Sequence, residues 1–142
     1  MYQLLIVGFA LRAPFISAPK LDCSKPNSSA EQAQCADQEL AATEADLKEA
    51  LSGALQQYSE SAAKDDTPLP KNEDQEQRQY DTRMRRAILA SHKAWVQYRA
   101  AACNSIAKMY DGGTIAASAV PSCQAALTRE RAKFLRDYFV EK

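Results

Sequence analysis

An all-α fold, an elongated antiparallel three-helix bundle stapled by two local disulfides, is what three features of this 142-residue chain predict. Gly and Pro are scarce, at four and six residues, while Ala, Glu, Gln and Arg, which suit helices better than strands, are plentiful. Apolar side chains recur at three- and four-residue spacings over long stretches, the period of one helix face. Pro68-Leu69-Pro70 and Gly112-Gly113 cut those stretches into three. The length accommodates one domain with its own core and is too short for two of usual size.

Residues 1–18 read as a signal peptide, with residues 19–142 forming the single helical domain. Leu4 to Leu11 is an apolar run of signal-core length, well short of the ~18 residues that span a bilayer. No Lys or Arg precedes it, Arg12 interrupts its end, and Pro19 follows Ala18, so the run does not fix the cleavage position. An N-terminal helix packed on the domain is the competing reading. Lys20-Leu21-Asp22 before Cys23 lacks the small and aliphatic residues of a lipoprotein cleavage site, which leaves Cys23 free to pair.

Ser28-x-x-Glu31 is a capping box, which starts the first helix near Ser29. Cys35 would then lie about 10 Å along that helix, and the residues from Cys23 to Ser28 reach about 16 Å when extended. The chain can therefore fold back into a Cys23–Cys35 bridge. Leu40, Leu47, Leu51, Leu55 and Tyr58 form one apolar stripe, and the helix is expected to fade near Lys64. Charges and prolines over residues 65–72 mark the main loop, because proline supplies no N–H and disfavours helix in the residue before it.

A second long helix is expected from about Glu73 to Tyr110, with Tyr80, Met84, Ala87, Ile88, Ser91, Trp95, Tyr98, Ala102 and Ile106 facing inward and the glycine pair as the stop. Residue 113 is midway between Cys103 and Cys123. A hairpin there has arms of equal length and brings the two sulfurs together. The third stripe is Val120, Cys123, Leu127, Phe134 and Tyr138, ending near Phe139. Each helix buries a stripe that is not stable alone in water, and an up-down-up bundle results.

Four cysteines with no Cys-x-x-Cys and a single His do not match zinc-ligand or thioredoxin-type spacing, so no metal or other cofactor is expected. Disulfides imply an oxidising compartment, the periplasm or the exterior. Arg78, Arg83, Arg85 and Arg86 are the densest basic cluster, but without aromatic interleaving or a basic overall balance they read as a solvated helix face and not as a nucleic-acid or membrane site. His92 has no nucleophile motif around it, and carboxylates such as Glu44 and Asp46 are ordinary helix-surface residues. No catalytic residue is assigned.

Trp95-x-x-Tyr98-Arg99-x-x-x-Cys103, the Gly112-Gly113-Thr114-Ile115 turn, and Cys123 followed by Leu127-Thr128-x-x-Arg131-x-x-x-Leu135 together resemble the family named for the lysozyme inhibitor LprI. Asp22-Cys23, Cys35 and Leu40 fit as well, so the resemblance runs over roughly residues 22 to 139. It implies a small exported bacterial domain that inhibits lysozyme. Trp95, Tyr98, Arg99, Gly112, Gly113 and Arg131 are then scaffold positions, with Arg131 expected to bridge the third helix to carboxylates of the first.

Charge is unevenly placed. Residues 20–76 hold five basic and thirteen acidic side chains, a balance of −8, and residues 77–142 hold twelve and five, a balance of +7. The plain reading sets an acidic first helix beside basic second and third helices. The sharper one turns Glu44, Glu49, Asp65 and Asp66 toward a cationic protein partner, as lysozyme usually is. Two functions follow: an exported protein that binds and blocks a lysozyme or related cell-wall hydrolase, or a non-catalytic periplasmic interaction module with a different partner.

Overall fold

The computed structural model describes residues 21–59 and 71–140. The proposed signal segment, Asp65, Asp66 and the two loop prolines lie outside the described residues. Among the described residues there are three helices: α1 (Ser29–Gln56), α2 (Lys71–Met109) and α3 (Ala116–Phe139). At 1.5 Å per residue α2 is about 58 Å long for its 39 residues, and the molecule is correspondingly elongated.

The start of α1 is built as its sequence requires, with one difference. Ser28 Oγ accepts the Glu31 N–H at 3.2 Å, but the Glu31 carboxylate reaches back to the N–H of Asn27, one residue earlier than a capping box would place it. Just upstream, the Ser24 hydroxyl and then its backbone N–H donate to Asp22 and hold that exposed carboxyl below the usual carboxylate range. The Cys23–Cys35 disulfide, with Cα atoms 5.5 Å apart, folds this leading segment back along the helix.

The helix stops at Gln56, well before Lys64. Tyr58 turns inward after the last turn and is buried, edge-on to Tyr80 across the bundle. Because α1 has no basic residue in its last turn, Arg85 of α2 supplies one: its Nη1 donates to the Leu55 carbonyl at 2.7 Å, where the helix dipole favours a cation. At the far end of the loop, Lys71 and Asn72 are already helical, so α2 begins two residues earlier than the sequence suggests.

Glu39 pairs with Arg129 and Asp46 with Arg136, both at a separation of 90 residues. A constant offset means α1 and α3 run parallel, with α2 antiparallel to both. The parallel pair forms the main contact of the fold. Its inner surfaces are small: Ala36, Thr43, Ala50 and Ala54 of α1 face a stripe of Pro121, Ala125, Thr128, Ala132 and Leu135 on α3, all buried. Leu47, Tyr58, Ile88 and Leu135 fill the central core.

This corrects the expected stripes of the second and third helices. Phe134 and Tyr138 are 40% and 62% exposed, and on α2 so are Tyr80 and Tyr98 at 45% and 59%; Ala87 and Ser91 are exposed as well. A seam of alanines brings two helix backbones too close for aromatic rings, which are displaced to its margin. Trp95 is half-buried and packs on the edge of the core.

Candidate interaction surface

α2 is attached to the pair through longer side chains, and the residues of the Trp95–Arg99 motif sit at that junction. Arg99 links all three helices. Its Nη1 donates to the Thr128 hydroxyl at 2.7 Å and to Glu44 at 3.1 Å, and its guanidinium lies 5.1 Å from the Trp95 ring centroid. Thr128 is fully buried, and its hydroxyl donates in turn to the Gln124 carbonyl at 2.6 Å. A buried hydroxyl that both donates and accepts avoids the penalty of an unmet polar group.

Arg131 is not the bridge to α1 carboxylates that the sequence suggested. It is only 9% exposed, donates from Nη2 to Ser91 Oγ on α2 at 2.6 Å, and lies over the Phe134 ring at 5.2 Å. Burial lowers its pKa from the usual guanidinium value, and its Nε finds no acceptor. Glu44, Glu39 and Asp46 of α1 pair instead with Arg99, Arg129 and Arg136 in that order. Sequence spacing could not choose among these arginines, because the choice depends on the parallel register of α1 and α3.

His92 stacks on Trp95 with ring centroids 5.7 Å apart, and its Nδ1 is buried without a partner. Burial first, then the nearby charges of Arg131 and Arg99, push its pKa below the ordinary imidazole value. The Glu44 carboxylate lines the same groove as His92 but is bonded to Arg99. Beside this cluster an open groove of about 250 Å³ runs between α1 and α2, lined by Leu47, Lys48, Leu51, Trp95 and Val96 among others. A wider recess of about 750 Å³ lies between Tyr58, Asp81, Arg85, Arg86 and Leu89. Among the described residues, no group of three or more His, Cys, Asp and Glu side chains could hold a metal ion, and no helix is long and apolar enough to cross a membrane.

The acidic candidates separate. Glu44 is engaged by Arg99, whereas Glu49 is exposed and forms no ion pair among the described residues. The hairpin is closed by the Cys103–Cys123 disulfide, with Cα atoms 5.7 Å apart. Asp111 and Gly112 take left-handed backbone conformations at φ 49° and 69°, and a Cβ on Gly113 would come within 3.1 Å of the Tyr110 carbonyl oxygen. The glycine pair is therefore a requirement of the turn itself. Sequence reasoning passed over its flanks, where Met109 and Ile115 are 65% and 58% exposed.

The family model described as Lysozyme inhibitor LprI matches residues 23–135. No curated protein and no solved structure matches the chain. The match spans both disulfides, the Arg99 junction and the hairpin, and it covers most of the sequence: this chain belongs to the LprI lysozyme inhibitor family.

Proposed function

We propose that this protein is exported and binds a lysozyme or related cell-wall hydrolase, blocking it as a stoichiometric inhibitor without turnover, cofactor or metal. The observation that carries the reading is the family match over residues 23–135, which spans both disulfides, the Arg99 junction and the hairpin. The two disulfides suit the periplasm or the exterior, where thiols oxidise, and the segment 1–18 serves as the export signal. Polar residues at the centre, Arg99, Arg131 and Thr128, hold α2 to α3 and are a scaffold, with His92 stacked on Trp95 beside them.

Association with a cationic enzyme is steered by the acidic part of the chain. Glu49, Asp65 and Asp66 are the steering residues, since such charges steer a partner at long range and weaken with salt. Glu44 has a second role through Arg99, so reversing it is expected to cost stability as well as association. Titration of the oxidised protein against several lysozymes on cell-wall substrate, at low and physiological salt, tests the proposal. Inhibition saturating at one equivalent, and weaker at higher salt, is expected. Absence of inhibition at micromolar concentration for all of them refutes it and favours an interaction module with another envelope partner.

A further inference from the structure

We infer that the α2–α3 hairpin tip is the part of the molecule that enters the hydrolase cleft, with Met109 and Ile115 as its contact side chains. This rests on the inhibitor reading above. The register of the bundle places the tip: with α1 and α3 offset by 90 residues in both ion pairs, Ser29 at the start of α1 lies level with Ala119. Residues 109–118 therefore project beyond α1. The Cys23–Cys35 bridge returns the segment before α1 toward Cys35 and away from the tip.

Composition sets this end apart. A quarter of the chain is charged, yet the 29 residues from Ala100 to Thr128 carry only Lys108 and Asp111. Interface centres are depleted in charge and enriched in Met, and Met109 and Ile115 are among the most exposed large apolar side chains of the described residues. Cys103, fully buried, anchors the arm below the tip through its disulfide, and the left-handed pair Asp111 and Gly112 fixes the turn. A convex, stiff, nearly uncharged wedge fits a concave apolar site, and stiffness lowers the entropy lost on binding. Lys108, the one cation of the stretch, suits the carboxylate pair that a glycoside hydrolase carries in its cleft.

The test compares Met109→Glu and Ile115→Glu with Tyr138→Glu, an equally exposed apolar residue at the other end of the molecule, in the oxidised full-length mature protein against a c-type lysozyme. Each tip variant is expected to raise the inhibition constant at least tenfold with far-UV circular dichroism unchanged, and Tyr138→Glu to leave it within twofold. Inhibition should raise KM for cell-wall substrate, and an N-acetylglucosamine trimer should compete with the protein for binding to the lysozyme. Should a glutamate variant fail the dichroism check, Met109→Gln and Ile115→Thr take its place under the same criterion. Wild-type inhibition retained by the tip variants, an equal loss in Tyr138→Glu, or a fall in kcat at constant KM overturns the wedge alone. A wild-type protein that inhibits no lysozyme overturns the inhibitor reading and the wedge with it.

Discussion

α3 meets its two neighbours in opposite ways. Toward α1 it offers alanines and Leu135 at zero to a few per cent exposure, with Arg129 and Arg136 clamping the margin. Toward α2 it offers Thr128, Arg131 and a half-cystine. The first contact is close and apolar, so its stability scales with buried area. The second is made of hydrogen bonds between long side chains and one covalent bridge, whose net worth is about 1 kcal/mol per neutral bond and somewhat more when a charge takes part. A parallel pair with a separately tethered third helix is the mechanical plan of this molecule, and α2 is the helix expected to open first.

The largest effect should come from the apolar seam. Leu135→Ala removes a fully buried side chain and is expected to cost about 2–5 kcal/mol, read as a lower urea midpoint with an unchanged slope. A loss below 1 kcal/mol would show that the seam collapses around the cavity and would break the contrast. Next is the tether. Replacing Cys103 and Cys123 by Ala releases a loop of 20 residues, and the chain-entropy model gives about 3 kcal/mol. Hydrogen exchange should then speed in α2 more than in α1, and equal acceleration would refute the idea of a separately held helix.

What the sequence made legible follows the same division. Helix number, the hairpin and both disulfides depended on local spacing, and the Cys103–Gly113–Cys123 symmetry needed no tertiary knowledge. The α3 stripe was misjudged because hydrophobicity ranks Phe134 and Tyr138 above Ala125, Thr128 and Ala132, whereas a close parallel seam selects for size. Tyr98 was misread for a related reason: it is exposed on α2 three residues after the half-buried Trp95. Arginine partners were illegible, since they require the register of helices far apart in the chain. The tip residues carried a readable signal, the shortage of charge from Ala100 to Thr128, which an inward-facing periodicity had absorbed.

A smaller effect separates the half-buried Arg99 from the buried Arg131. Arg99→Met removes bonds to Thr128 and Glu44 and is expected to cost about 1–3 kcal/mol, because a buried hydroxyl loses a charged donor. Arg131→Met removes a desolvated charge that has no carboxylate partner among the described residues, and replacing such a charge by an apolar side chain of similar length is often neutral or stabilising. Thermal melts of the two variants decide it. If Arg131→Met proves the costlier, its bond to Ser91 outweighs its desolvation, and the α2–α3 contact is stronger than the contrast allows.

The smallest expected effect is a pH dependence confined to the α2 side. The pKa of His92 is lowered in the folded protein by burial and by Arg131 and Arg99, so the native state stays neutral at a pH where the unfolded chain has already bound a proton. Unfolded protein then holds more protons, and stability falls as pH drops below about 6.5, the ordinary imidazole value, until the folded protein titrates too. Asp22 acts separately: its folded pKa is lowered, so its contribution is lost only below the usual carboxylate value of about 3.9. Urea midpoints between pH 7.5 and pH 5, about the range where only imidazole changes charge, should decline in the wild type relative to His92→Gln. Glu44 bears on the outcome, because it is the carboxylate bonded to Arg99 beside this histidine. If the wild type gains stability over His92→Gln as pH falls, the imidazolium has found that carboxylate, and the orphaned Nδ1 marks a site made for the charged form.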